Sequence, residues 1–407
     1  MRQNLSFLII LSVFMINCQS ATEKETAKSF KQDVEFLKQY KDVIVLSDES
    51  NQAQVALVAD WQGRVMTSTA SGGQGTSFGW LNRELIASEE RQPHINVFGG
   101  EDRFWLGPEG GQYSIFFKKD DPFDLEHWAT PAAIDWDPFE LLSVSKTNAV
   151  FNKKIRLKNY SDTQFDLEVT REIKLLTPDQ VAENLGIEIS SDLKLVGFES
   201  VNSIKNIGDN VWQKKSGLLS IWILGMFNPS PNTIIVIPYK SGTEDILGPV
   251  VNDAYFGKVP ADRLVVKDNV MFFSGDGNYR SKIGISPRRS KPVLGSYDAG
   301  NKILTLAQFT FSEGVTDYVN SMWELQDNPY GGDAVNSYND GPPEPGAKPL
   351  GPFYELETSS PAAALKPGES YTHVHRTIHF VGTENELNKI AERVLDVTLE
   401  DIKNAFK

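Results

Sequence analysis

A large antiparallel β-sandwich is the fold class that this 407-residue sequence predicts. Three observations carry the expectation. Long segments alternate apolar and polar residues, helical periodicity is scarce before the C-terminus, and no internal repeat points to a propeller or solenoid. Composition is that of a globular chain, 40% hydrophobic, 23% charged and 11% aromatic, and its length suits one large domain or two packed closely.

The elements follow in order from the N-terminus. Arg2 precedes the apolar run Leu5–Ile16, which is too short to span a bilayer comfortably and matches the apolar core of a secretory signal. The run ends at Asn17-Cys18, and Cys18 is the one cysteine in the chain. We read residues 1–17 as a lipoprotein signal peptide and Cys18 as the lipidated residue, anchoring the protein in the cell envelope at a bacterial membrane, expected to be the outer one. With no second cysteine, no disulfide framework or thiolate metal site is expected. Residues 18–29 are small and polar, as in a flexible tether. Residues 30–49 form a lead-in that opens with a short amphipathic helix over Phe30–Tyr40.

The sandwich is expected over residues 50–381. Gln54–Ala59 and Arg64–Thr69 flank a hairpin turn at Asp60-Trp-Gln-Gly63. Gln112–Phe117 reads as a strand. Ala149–Leu157 and Gln164–Leu175 alternate strictly, with Arg171 interrupting the apolar face of the second. Further strands are predicted at 193–206, 217–226, 233–238, 263–267, 270–274, 302–312, 353–358 and 371–381. Helix is expected at Pro178–Leu185 and over residues 382–407. There Thr383-Glu-Asn-Glu386 is a capping box, and Thr398 with Asp401 repeats the cap.

Two Gly/Pro-rich, aromatic and acidic stretches read as functional loops, residues 94–137 and 326–352. Taken singly, their residues suit turn geometry or core packing. Their clustering favours a binding site, because pyranose C–H faces stack on aromatic rings while hydroxyls take polar partners. The formal charge of −14 argues against nucleic acid or anionic lipid as a partner. The membrane contact is expected through the lipid alone.

The segments Phe353-Tyr-Glu-Leu-Glu-Thr358 and Leu365-Lys-Pro-Gly-Glu369, followed by the strand from Tyr371, resemble the end of a galactose mutarotase-like (aldose 1-epimerase-like) domain. The stretch Gly99-Gly-Glu-Asp-Arg-Phe-Trp105 is similar to the arginine-bearing segment near the start of such domains. The same stretch, with Asn336-Ser-Tyr-Asn-Asp-Gly-Pro-Pro343, also resembles an uncharacterised family of bacterial lipoproteins on that fold. The resemblance implies a supersandwich, a sugar ligand, Glu357 as the base of a ring-opening reaction and Arg103 as a contact to the sugar.

Glu355 shares a strand face with Glu357, so the two are rivals for the base. The acid is expected to be His127 or His94, the histidines of the candidate loops. Trp105, Glu101, Asp102, Trp128, Tyr338 and Asp340 complete the expected substrate-binding set. His373, His375 and His379 share a face of the last strand at spacings of about 7 Å or more, too wide for a compact metal site, so a polar, partly exposed face is predicted. No cofactor or metal is expected. Three readings stay open: an epimerase-like enzyme, a glycan-binding lipoprotein without catalysis, and a structural surface lipoprotein.

Overall fold

The computed structural model describes residues 28–344 and 346–407. The expected signal peptide, Cys18 and most of the tether lie outside the described residues. At the tether's end, Ser29 caps the first helix, Phe30–Leu37, with a reciprocal capping box through Gln32. No helix among the described residues is long and apolar enough to cross a membrane.

Among the described residues, eighteen strands form three antiparallel sheets. In chain order they are β1 (Val43–Ser47), β2 (Gln54–Val58), β3 (Arg64–Thr69), β4 (Arg103–Gly107), β5 (Glu140–Val144) and β6 (Asn148–Lys158). Next come β7 (Gln164–Leu175), β8 (Lys194–Asn206), β9 (Ser220–Phe227), β10 (Thr233–Pro238), β11 (Leu264–Val266) and β12 (Val270–Ser274). The last six are β13 (Ser281–Ile285), β14 (Val293–Asp298), β15 (Ile303–Phe309), β16 (Val335–Asn339), β17 (Tyr354–Ser359) and β18 (Ser370–Val381). A ten-stranded sheet runs β11-β12-β10-β14-β15-β18-β8-β7-β6-β5, and a five-stranded sheet runs β13-β16-β17-β9-β4. Strands β1 to β3 form a small third sheet.

The two larger sheets pack face to face, as the sandwich expectation requires. Phe104, Leu106, Ile221 and Ile223 of the five-stranded sheet share one core with Phe151, Phe165, Leu167 and Val169 of the ten-stranded sheet. The helices Glu384–Leu395 and Leu399–Lys403 cover the other face of the ten-stranded sheet. Their Leu387, Ile390, Leu395 and Ile402 pack with Phe272, Leu304, Leu306 and Phe380. Both helix starts lie where the capping residues predict them.

The structure corrects three expectations. Gln112–Phe117 is irregular backbone, whose Ile115, Phe116 and Phe117 are buried as plugs beneath the loops. A run of apolar plugs and an apolar strand look alike to period-two reading. Arg171 does not interrupt the core face of β7 but belongs to it, fully buried in an ion pair with Asp102 between the sheets. His373, His375 and His379 are likewise buried, not partly exposed. Thr358 Oγ1 lies 2.9 Å from both His373 Nε2 and His375 Nδ1. Burial pushes these imidazoles down, His373 to about 3 with His375 adding to the effect, and His375 to about 4 against the pull of Asp102. Both are therefore neutral at pH 7.

Candidate functional site

Register decides which side chains share the outer face of the five-stranded sheet, because directly paired antiparallel residues point to the same side. Arg103 pairs with Leu224 and Trp105 with Trp222. Leu224 pairs in turn with Glu357, and Met226 with Glu355. Glu355 faces Tyr338 and Glu357 faces Asn336. Tyr338 pairs with Lys282. Arg103, Trp105, Trp222, Glu355, Glu357, Tyr338, Asn336 and Lys282 thus project from one face, away from the inter-sheet core.

Two contacts between a cationic side chain and a carboxyl group organise this face. Arg103 Nη2 donates to Glu355 Oε1 at 3.1 Å, and the guanidinium lies 4.4 Å from the centre of the Trp105 ring. Lys282 Nζ and Trp222 Nε1 each donate to Glu357 Oε2 at 3.0 Å, leaving Glu357 Oε1 without a protein partner. Burial pushes the Glu355 carboxyl up to about 8; Arg103 and Lys282 pull against that and the Glu357 charge adds to it. Lys282 is held above its usual value: burial alone would lower it, but Glu357, Glu109 and Glu355 together outweigh burial.

Beside Lys282 opens a narrow, partly enclosed cleft. Glu109, Trp222, Tyr255, Lys282, Asp333 and Asn336 are among its lining residues. Tyr255 Oη donates to Asp333 Oδ2 at 2.7 Å, Asn252 Nδ2 donates to the same oxygen at 3.0 Å, and Asn336 Nδ2 donates to Tyr255 Oη at 3.2 Å.

Of the residues expected from sequence, Arg103, Trp105, Glu355, Glu357 and Tyr338 come together on this face. Tyr338 donates to Asp340 Oδ1 at 2.6 Å, and Asp340 also accepts from the Gly351 N–H, so this pair holds the backbone at Gly351. Trp128 stacks on Phe116 and Trp323, one layer out from Trp105. Glu101 and Asp102 do not join them. Asp102 precedes Arg103 and points to the opposite side, as strand alternation requires, to meet Arg171 and Ser200. Glu101 accepts from His379 at 2.8 Å and Ser68 at 2.9 Å.

Neither candidate histidine lines the cleft. His94 Nδ1 lies 2.6 Å from the Trp128 carbonyl oxygen. His127 pairs with Asp124 at 2.7 Å on a half-exposed turn, and that bond raises its imidazole above the usual value.

Sequence reading missed Lys282, Trp222, Glu109, Tyr255, Asp333 and Asn336. Two of them left a signal: a lone lysine in the apolar strand Ser-Lys-Ile-Gly-Ile, and a glutamate within Gly107-Pro-Glu-Gly-Gly111. An isolated charge on a buried strand is costly unless paired, so Lys282 called for a carboxylate partner.

A family model described as a family of unknown function, DUF6786, matches residues 28–406. The chain belongs to the DUF6786 family. No curated protein matches the sequence. Among solved structures, this DUF6786 chain is similar to a protein of Synechocystis sp. PCC 6803, with 13% identity and a TM-score of 0.50 over 83% of this chain and 96% of that one. At that identity the likeness shows a shared fold. It is also similar to an Escherichia coli K12 protein provisionally named an aldose 1-epimerase, with 13% identity and a TM-score of 0.48 over 83% and 98% of the two chains. A galactose mutarotase-like protein of Lactobacillus casei ATCC 334 has 9% identity and a TM-score of 0.47 over 83% and 100%. The DUF6786 chain has the large antiparallel sandwich expected from its sequence, with β17 carrying Leu356-Glu-Thr358 at the centre of the smaller sheet.

Proposed function

We propose that this protein binds an aldopyranose on the outer face of the five-stranded sheet and catalyses opening and reclosure of its ring, interconverting the anomers. One observation carries the reading. Arg103 Nε and Nη1, Trp105 Nε1, Ser220 Oγ and Glu357 Oε1 are buried on that single face without a protein partner. Each such group costs roughly 1–3 kcal/mol, so their concentration beside stacked aromatic rings calls for a polyhydroxylated ligand. Sugar hydroxyls both donate and accept, and so match donors and a carboxylate set side by side.

Glu357 is the base in this reading. Lys282 and Trp222 hold one of its oxygens and fix the carboxylate's orientation, while Oε1 is left to take the proton of the anomeric hydroxyl. Glu355, its carboxyl raised by burial, accepts from Arg103 beside the base. Anomer exchange on a panel of freshly dissolved aldoses, followed by polarimetry or NMR, tests the assignment. Acceleration by the parent and its loss in Glu357→Gln are expected; acceleration that survives in the variant would remove Glu357 from the role.

A binding protein without catalysis is the second reading, favoured by the absence of both candidate histidines from the cleft. It predicts sugar-dependent thermal stabilisation with no acceleration of anomer exchange. In either case we place the protein at a membrane surface through Cys18. Replacing Cys18 by Ala is expected to move it from the membrane to the soluble fraction on cell fractionation, and unchanged partition would contradict the anchor.

A further inference from the structure

The cleft is lined by four titratable side chains, Glu109, Tyr255, Lys282 and Asp333. Three are committed to partners: Lys282 to Glu357, and Tyr255 and Asp333 to each other. Glu109 forms no ion pair among the described residues. It comes from the loop after β4, and that loop is pinned. The Glu109 N–H donates to Ser321 Oγ at 3.2 Å, and its carbonyl accepts from Ser114 Oγ at 2.5 Å. A Cβ on neighbouring Gly110 would lie 2.3 Å from the Met322 carbonyl oxygen, so the backbone cannot shift freely there. The loop therefore delivers a carboxyl group into the cleft where Lys282, Glu357 and Arg103 all act on it.

We propose that Glu109 is the proton donor of this site, filling the role that the histidines do not reach. The proposal rests on the ring-opening reading above. As Glu357 takes the proton from the anomeric O1–H, the C1–O5 bond breaks and its electron pair goes to the ring oxygen. Glu109 gives its proton to that oxygen, leaving an open-chain aldehyde, a neutral Glu357 and a Glu109 carboxylate. After rotation about C1–C2 the steps reverse on the other face, returning both protons. No external reactant is consumed.

The electrostatics agree with this duty. Burial pushes the Glu109 carboxyl up to about 7, with the Glu357 charge pushing the same way. Lys282, a hydrogen bond with Trp323 and Arg103 pull it down. Tyr255 and Asp333, which line the same cleft, are themselves shifted upward by burial.

Steady-state anomer exchange by the parent, Glu109→Gln and Glu109→Asp across pH 5–9 tests the proposal. The parent's kcat is expected to fall as pH rises through the Glu109 titration. Glu109→Gln is expected to lose about a hundredfold or more in kcat, with KM changed by less than about threefold and no alkaline fall in the residual rate. Glu109→Asp should regain part of the rate and restore the alkaline limb. A Glu109→Gln variant within about twofold of the parent's kcat, with the alkaline limb intact, overturns the proposal and leaves ring opening standing. Loss of kcat together with loss of sugar-dependent thermal stabilisation overturns it too, as a structural role. A parent inert towards every aldose would sink the ring-opening reading and this assignment with it.

Discussion

At the scale of single residues, the two carboxylates of β17 differ because their cations differ. Glu357 has Lys282 and an indole N–H on one oxygen, whereas Glu355 has one guanidinium N–H and the Glu357 charge nearby. Glu355 should therefore leave a pH signature in stability. Its proton is held to about pH 8 in the folded chain but only to the ordinary carboxylate range when unfolded. As pH rises between those values the unfolded state sheds the proton and the folded state keeps it, so Glu355 increasingly disfavours folding. Relative to the parent, Glu355→Gln is expected to gain stability as pH rises from about 4.5 to 8, by at most about 1.4 kcal/mol per unit. Denaturant melts at several pH values would read it, and a pH-independent difference would contradict the assignment. From sequence, alternation placed Glu355 and Glu357 on one face but could not assign their partners. Arg103 and Lys282 lie 252 and 75 residues from the glutamates they hold, and only the fold brings them near.

At the scale of elements, legibility followed exposure. β6, β7, β8 and β18 bury one face and alternate, and each was readable. β4 and β16 are buried on both sides and mix Gly, Asn, Ser and aromatic residues, so they read as loop although they carry Arg103, Trp105, Asn336 and Tyr338. The one-residue step from Asp102 to Arg103 separates the inter-sheet core from the outer face of the five-stranded sheet. Asp102 was read with the sugar-binding set, and its pairing with Arg171 makes it a fold residue instead. Asp102→Ala would leave Arg171 charged and buried, costing about 3–5 kcal/mol. Urea unfolding should show that loss, with sugar affinity kept where the variant remains folded. Parent-like stability with lost sugar binding would return Asp102 to the site.

At the scale of the whole molecule, the sandwich places its layers in a functional order. Helices close one face of the ten-stranded sheet, a core with buried His373, His375 and His379 joins the two sheets, and the smaller sheet turns its charged face to the loops. The C-terminal helices were legible through their capping residues, and the fold class through alternation. The assembly of the cleft was not, because β13, the loop after β4 and the segment bearing Tyr255 meet only in three dimensions.

The central claim is that the outer face of the five-stranded sheet holds a pyranose. Thermal melting of the chain lacking residues 1–27, with a panel of aldoses and their methyl glycosides, tests it most directly. The glycosides separate binding from ring opening, since they fit the same face but cannot open. The account predicts that at least one aldose and its glycoside raise the Tm of the parent, following the logarithm of ligand concentration over Kd, and that Arg103→Met abolishes the rise. A parent whose Tm no sugar moves, or an Arg103→Met variant stabilised as much as the parent, would contradict it.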